Sequence, residues 1–205
     1  MAKIKICGLK SIEDIEFVNE ANIDFAGFIF TPKSKRCIDI EQALKMKKLL
    51  NLKIKSVGVF LNENIASIKE IAERKIIDFI QLHGNETKDY IIQIKKETNL
   101  PVIKAFKADS ELEYNIKNTL ADYVLLDSSN GNQFGGTGKT FDYALIPKTD
   151  KPIFLAGGLN INNIENALKI NPFCLDINSG VETEEKKDRN KILEITAKIR
   201  NFEKV

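Results

Sequence analysis

A metal centre has almost nothing to stand on in this chain. Its 205 residues include one histidine, His83, and no CxxC or HxxxH spacing, so the usual imidazole and thiolate ligand sets are missing and no metal is expected. Cysteine is scarce too. Cys7, Cys37 and Cys174 are an odd number with no signal peptide ahead of them, which points to reduced thiols and a cytoplasmic location. No apolar run approaches the ~20 residues of a membrane-spanning helix, so no membrane contact is expected. Neither sign of charge prevails: 31 basic and 29 acidic residues are interspersed and net +2, a balance that argues against a nucleic-acid surface. No GxGxxG follows the first strand candidate and no other cofactor motif appears, so no cofactor is expected. No low-complexity tract or linker divides the chain, and residues 1–205 are read as a single domain.

What is present is a globular composition, 43% hydrophobic and 29% charged, in which strand-length apolar runs alternate with helical periodicity. Strand candidates are Lys3–Cys7, Phe25–Phe30, Ser56–Leu61, Phe79–Leu82, Val102–Phe106, Tyr123–Asp127, Ile153–Ala156 and Cys174–Asn178. Helix candidates between and after them are Ile12–Ala21, Ile40–Leu50, Ile65–Arg74, Lys88–Glu97, Glu111–Thr119, a short Tyr143–Ile146, Ile161–Lys169 and Arg189–Phe202. Ser11, Asp39 and Asn62 read as helix-start signals.

The first strand chooses the architecture. Alternation puts Lys3, Lys5 and Cys7 on one face and Ile4 and Ile6 on the other. A sheet covered by apolar layers on both sides cannot take that lysine face. A closed barrel can, if lumenal carboxylates meet the ammonium groups. With eight strand–helix pairs, the expectation is a (β/α)8 TIM barrel. Closure makes strand eight the neighbour of strand one, so Lys5 is expected to meet Asp176 and to help hold Cys7 as thiolate.

In such a barrel the C-terminal strand ends carry the chemistry, and polar or glycine-rich residues gather at most of them. Cys7, with Gly8 allowing a sharp turn behind it, reads as a reactive group. Gly157-Gly158 after strand seven and Ser179-Gly180 after strand eight read as a phosphate site, because loops at these positions present backbone N–H groups to anions. Gly135–Thr140 is not a P-loop, since Gln133 stands where that motif needs glycine; the stretch from Ser128 to Lys139 reads as a loop that closes over substrate or as an ordinary flexible connection. Asp127 is either an acid with a raised pKa in an apolar mouth or a cap or salt-bridge partner. Arg36 is a carboxylate clamp or part of a solvated basic loop, and His83 an orienting donor or a structural histidine. Cys37 and Cys174 read as small core or near-surface residues.

Taken in order, Lys5–Gly8, Gln81–Gly84, Phe134–Phe141 (FGGTGKTF), Leu155–Leu159 (LAGGL) and Asp176–Glu182 (DINSGVE) strongly resemble phosphoribosylanthranilate isomerase of tryptophan biosynthesis. The likeness runs from strand one to beyond strand eight. It implies an Amadori rearrangement of N-(5-phosphoribosyl)anthranilate, a small-molecule phosphosugar-anthranilate substrate. By this resemblance Cys7 is the general base and Asp127 the general acid. Arg36 holds the anthranilate carboxylate, Asp176 lies near the sugar, and the glycine loops hold phosphate. Asn178 departs from the family's usual serine, and Asn160-Ile161-Asn162 from its usual threonine-proline. A monomer is expected, with a homodimer as the alternative. The rival readings are another phosphosugar isomerase or epimerase barrel and a non-catalytic phosphate-binding barrel.

Overall fold

Alternation along each strand divides its side chains between a lumen and an outer shell, and the chain closes accordingly. The structure is a computed structural model and describes residues 1–107, 109–127 and 146–202. The helix expected at Tyr143–Ile146, all but its last residue, lies outside these, as do the 128–139 loop and the FGGTGKTF stretch. Eight parallel strands form a closed barrel: β1 (Lys3–Cys7), β2 (Phe25–Ile29), β3 (Lys55–Phe60), β4 (Phe79–Leu82), β5 (Val102–Lys107), β6 (Tyr123–Asp127), β7 (Ile153–Ala156) and β8 (Cys174–Ile177). Each pairs with the next, and β8 pairs back onto β1 in the register Lys5↔Asp176. Around them lie α1 (Ile12–Ala21), α2 (Ile40–Leu49), α3 (Ile65–Glu73), α4 (Lys88–Thr98), α5 (Leu112–Asn118), α6 (Ile164–Leu168) and α7 (Arg189–Arg200). A small hairpin, β9 (Glu182–Thr183) and β10 (Lys186–Lys187), separates β8 from α7.

The outward residues of the strands, among them Ile4, Ile6, Phe28, Ile80 and Leu126, join the apolar faces of the helices in one core. The inward residues make a second core. Phe25, Phe79, Tyr123, Phe154 and Phe173 fill the N-terminal half of the lumen with rings whose successive centroids lie 5.3–5.7 Å apart, mostly edge to face. The lumen is therefore packed shut at that end, and polar side chains are left to the other.

Ser11 caps α1 in a reciprocal capping box with Asp14, and Asp39 caps α2. The cap of α3 is Asn64 rather than Asn62. Asn62 instead takes a left-handed φ of 52° and its Oδ1 accepts from the Asn85 amide at 2.7 Å, tying two site loops together. Helix α6 starts at Ile164, later than the expected Ile161. Asn163 and Asn160 side chains accept from the Asn160 and Asn162 amides (2.8 and 2.9 Å), turns that compete with helix. Among the described residues, no helix is long and apolar enough to cross a membrane.

Candidate active site

Cys7 ends β1 with its thiol in the lumen, buried against Ile29 and Val59. The neighbouring strand makes room for it: a Cβ on Gly27 would stand 2.7 Å from Cys7 Sγ and 2.9 Å from its Cα. Beneath it, the side chain of Lys5 is wholly buried and donates to Asp176 Oδ2 at 2.7 Å, as alternation and barrel closure predict. Burial alone would lower the lysine pKa, but the Asp176 carboxylate and Cys7 outweigh it and raise it, so the ammonium persists. For Cys7 burial is the largest influence and pushes the thiol up; Lys5 pulls it back without reversing the shift. The expected cation is in place and favours the thiolate, but burial has the larger effect on the thiol.

Across the barrel mouth, Asp127 closes β6 above Tyr123 and Leu125, which face the lumen. Its Oδ2 lies 3.4 Å from His83 Nε2. His83, just past the end of β4, has its Nδ1 3.1 Å from the side-chain amide nitrogen of Gln81, two residues earlier on that strand. The turn that carries His83 is pinned from behind. Glu86 accepts from the amides of Asn62 (2.8 Å) and Gly84 (3.0 Å), and buried Lys104 donates to Glu86 (3.0 Å) and to the Gly84 carbonyl (2.6 Å).

Arg36, from the β2–α2 loop, is no freely solvated residue. Its Nε and Nη2 donate to Glu182 Oε1 and Oε2 at 2.7 and 2.5 Å, a bidentate fork. Its stem passes over Gly8, where a Cβ would meet Arg36 Cδ at 2.5 Å. Buried Lys187 shares Glu182 Oε1 at 2.7 Å and donates to the Asn178 backbone and side-chain oxygens at 3.0 Å. Burial would raise the Glu182 pKa, but the Arg36 and Lys187 hydrogen bonds override it and hold the carboxylate at about 2. Sequence reasoning gave no role to Glu182, Lys187, Gln81 or Gly27. Lysines and carboxylates in a short hairpin carry no periodic signal, and Gly27 is legible only once β1 and β2 are laid side by side.

The strand-seven and strand-eight loops face each other. Gly158 has a left-handed φ of 64°, with open space where a side chain would project. Among the described residues, neither Gly158 nor Leu159 donates its backbone amide to another. Ser179 heads a single 3-10 turn, Ser179–Val181, whose first amides point out of the turn by construction. Gly180 lies so close to the Leu159 carbonyl that a Cβ would overlap it, which docks one loop onto the other. Gly157, Gly158, Ser179, Asp176, Cys7, His83 and Asp127 line one cavity of about 290 Å³, together with Gln81 and Asn178. Gly180 is not in that lining, and Arg36 stands beside it at Gly8. A larger cavity, about 600 Å³, opens at the opposite end of the barrel beside Met1, Lys3 and Phe173, away from all the candidate groups. No group of three or more His, Cys, Asp or Glu among the described residues could hold a metal ion.

A model of the family N-(5'phosphoribosyl)anthranilate (PRA) isomerase matches residues 4–198. The chain belongs to the PRA isomerase family. The N-(5'-phosphoribosyl)anthranilate isomerase of Endomicrobium trichonymphae is 46% identical over 203 residues, 98% of this chain and 100% of that one. The crystal structure of phosphoribosyl anthranilate isomerase from Thermotoga maritima has a TM-score of 0.88 and 35% identity, and covers 98% of this chain and 100% of its own. A further crystal structure, of a PRA isomerase in complex with reduced 1-(o-carboxyphenylamino)-1-deoxyribulose 5-phosphate, has a TM-score of 0.85 and 33% identity with the same coverage. Family membership thus extends over the whole barrel, including the two strands that end in Cys7 and Asp127.

Proposed function

We propose that this protein catalyses the Amadori rearrangement of N-(5-phosphoribosyl)anthranilate to 1-(2-carboxyphenylamino)-1-deoxyribulose 5-phosphate in tryptophan biosynthesis, acting in the cytoplasm as a one-domain barrel. One observation carries the residue assignments within the family's reaction: Cys7 and Asp127, from opposite sides of the mouth, line the same cavity as the strand-seven and strand-eight loops. A phosphosugar anchored by its phosphate on those loops lies between a thiol and a carboxylic acid.

Asp127 delivers a proton to the furanose oxygen while the anilino nitrogen pushes in its lone pair, which opens the ring and leaves an iminium ion. Cys7, as thiolate, removes the proton from C2, and the electrons of that C–H bond neutralise the iminium to give an enolamine. The enolamine then relaxes to the ketone. Burial disfavours the thiolate and Lys5 favours it; the iminium charge adds to Lys5 at the moment the base is needed. Arg36, braced by Glu182, takes the anthranilate carboxylate. Gly157, Gly158, Ser179 and Gly180 hold the phosphate through backbone amides and the serine hydroxyl, Asp176 faces the sugar, and His83 orients Asp127. All the chemistry is proton transfer, so the protein's own groups suffice.

The test is to supply enzymatically generated phosphoribosylanthranilate and follow the decay of its fluorescence. The purified protein should turn it over, and Cys7→Ala and Asp127→Asn should each reduce kcat by at least ~100-fold, the lower range for positioned acid–base groups, with folding retained. Near-wild-type turnover in either variant removes that residue from its role.

A further inference from the structure

Gln81 has no part in the reaction as described, although it lines the cavity and is only 2% exposed. Its two amide ends meet opposite circumstances. Nε2 lies 3.1 Å from His83 Nδ1, while Oε1 is buried without a hydrogen-bond partner among the described residues. An amide nitrogen only donates, so His83 Nδ1 must accept, and the ring proton belongs on Nε2. That nitrogen is the one set 3.4 Å from Asp127 Oδ2, a long contact of the kind that tightens when substrate closes a site.

An acceptor as buried as Oε1 is destabilising unless a donor meets it, so the position favours a ligand that brings one. Asp176 Oδ1 is a second buried acceptor without a partner among the described residues, and Asp176 lines the same cavity. Two side-chain acceptors on one cavity wall call for a ligand with hydroxyl groups.

We propose that Gln81 accepts a sugar hydroxyl on Oε1 and, through Nε2, fixes the Nε2–H tautomer of His83, so that the imidazole engages Oδ2 of Asp127 and the acidic proton resides on Oδ1. This rests on the isomerase reading and adds to it a residue that contacts substrate at one end and positions the general acid at the other. The opposite amide orientation would put Oε1 against Nδ1–H and turn the Nε2 lone pair toward Asp127. The acid's proton would then be drawn into an imidazole hydrogen bond and away from the ring oxygen. A substrate hydroxyl on Oε1 selects the productive orientation.

Because His83 is the one histidine in the chain, nitrogen-15-labelled histidine gives one pair of ring-nitrogen signals, and which of the two is protonated reports the tautomer directly. The wild type should show the Nε2–H form. In Gln81→Glu the carboxylate can only accept, so His83 should switch to Nδ1–H; an oxygen still faces the sugar, and KM should stay within about twofold while kcat falls. Gln81→Met removes both functions and should lower kcat/KM at least ~10-fold, the order of one lost hydrogen bond to a buried group. An Nδ1–H histidine in the wild type, an unswitched tautomer in Gln81→Glu, or wild-type kcat/KM in Gln81→Met overturns the proposal. A wild-type protein that does not turn over phosphoribosylanthranilate overturns the isomerase reading instead, and the tautomer measurement then decides the Gln81–His83 link by itself.

Discussion

Lys5 Nζ and Asp176 Oδ2 meet at 2.7 Å inside the barrel, their residues directly opposed across the β1–β8 closure, with the lysine side chain fully shielded from water. The pair lies under Cys7, and its charges act on that thiol with opposite sign.

Lys5→Met nearly conserves the stem's volume, removes the cation and leaves the Asp176 carboxylate buried without it. Both changes disfavour the Cys7 thiolate, so the pH profile of Cys7 alkylation by iodoacetamide should move up by roughly one unit or more. Peptide mapping separates Cys7 from partly exposed Cys37. Urea unfolding should show a loss of about 3–5 kcal/mol, the usual cost of removing one partner of a buried pair. An unchanged alkylation profile would dismiss the electrostatic role.

Glu182 makes a prediction about acid stability. Its folded-state pKa of about 2 lies below the ordinary 4.5, so its contribution to stability is complete above pH 4.5 and is lost as pH falls toward 2. In Glu182→Gln the stability change across that window should flatten, as measured by denaturant midpoints at successive pH values. A wild-type slope in the variant would mean that other carboxylates control acid unfolding.

The brace on Arg36 separates binding from chemistry. Arg36→Ala should raise KM by more than it lowers kcat, because a clamp on the anthranilate carboxylate acts in the ground state as well as the transition state. A kcat defect at unchanged KM would contradict the clamp.

Inorganic phosphate should inhibit competitively through the strand-seven and strand-eight loops. Gly158→Val should weaken that inhibition. The space beyond Gly158 is open, so the damage comes from φ, a left-handed 64° that a β-branched residue adopts only under strain. Unaltered phosphate inhibition in this variant would place the anion elsewhere.

The barrel was legible because it rests on periodicity. Lysines alternating with isoleucines on β1 exclude a two-sided sheet, and eight strand–helix units close one. Parity and closure even reach a contact between residues far apart in the chain, Lys5 to Asp176, since both sit on strands whose register follows from the fold. Helix starts were less secure. Asn62 and Asn64 both offer a side chain suited to capping, and which of them caps α3 is decided by the Asn85 amide that Asn62 meets.

Sequence by itself determined the architecture and the end of the barrel that carries the chemistry, because both follow from local alternation and position along a strand; it singled out Cys7 and Asp127 as strand-end candidates, and the base and acid roles came with the family resemblance. Tertiary structure alone decided that Arg36 is braced by Glu182, that Lys187 lies buried beside them, that Gln81 lines the cavity with one end of its amide against His83, and that burial outweighs Lys5 at the Cys7 thiol. Those outcomes depend on how loops and strand ends from distant parts of the chain exclude water from one another. Desolvation is a property of the assembled surroundings and has no period along the sequence.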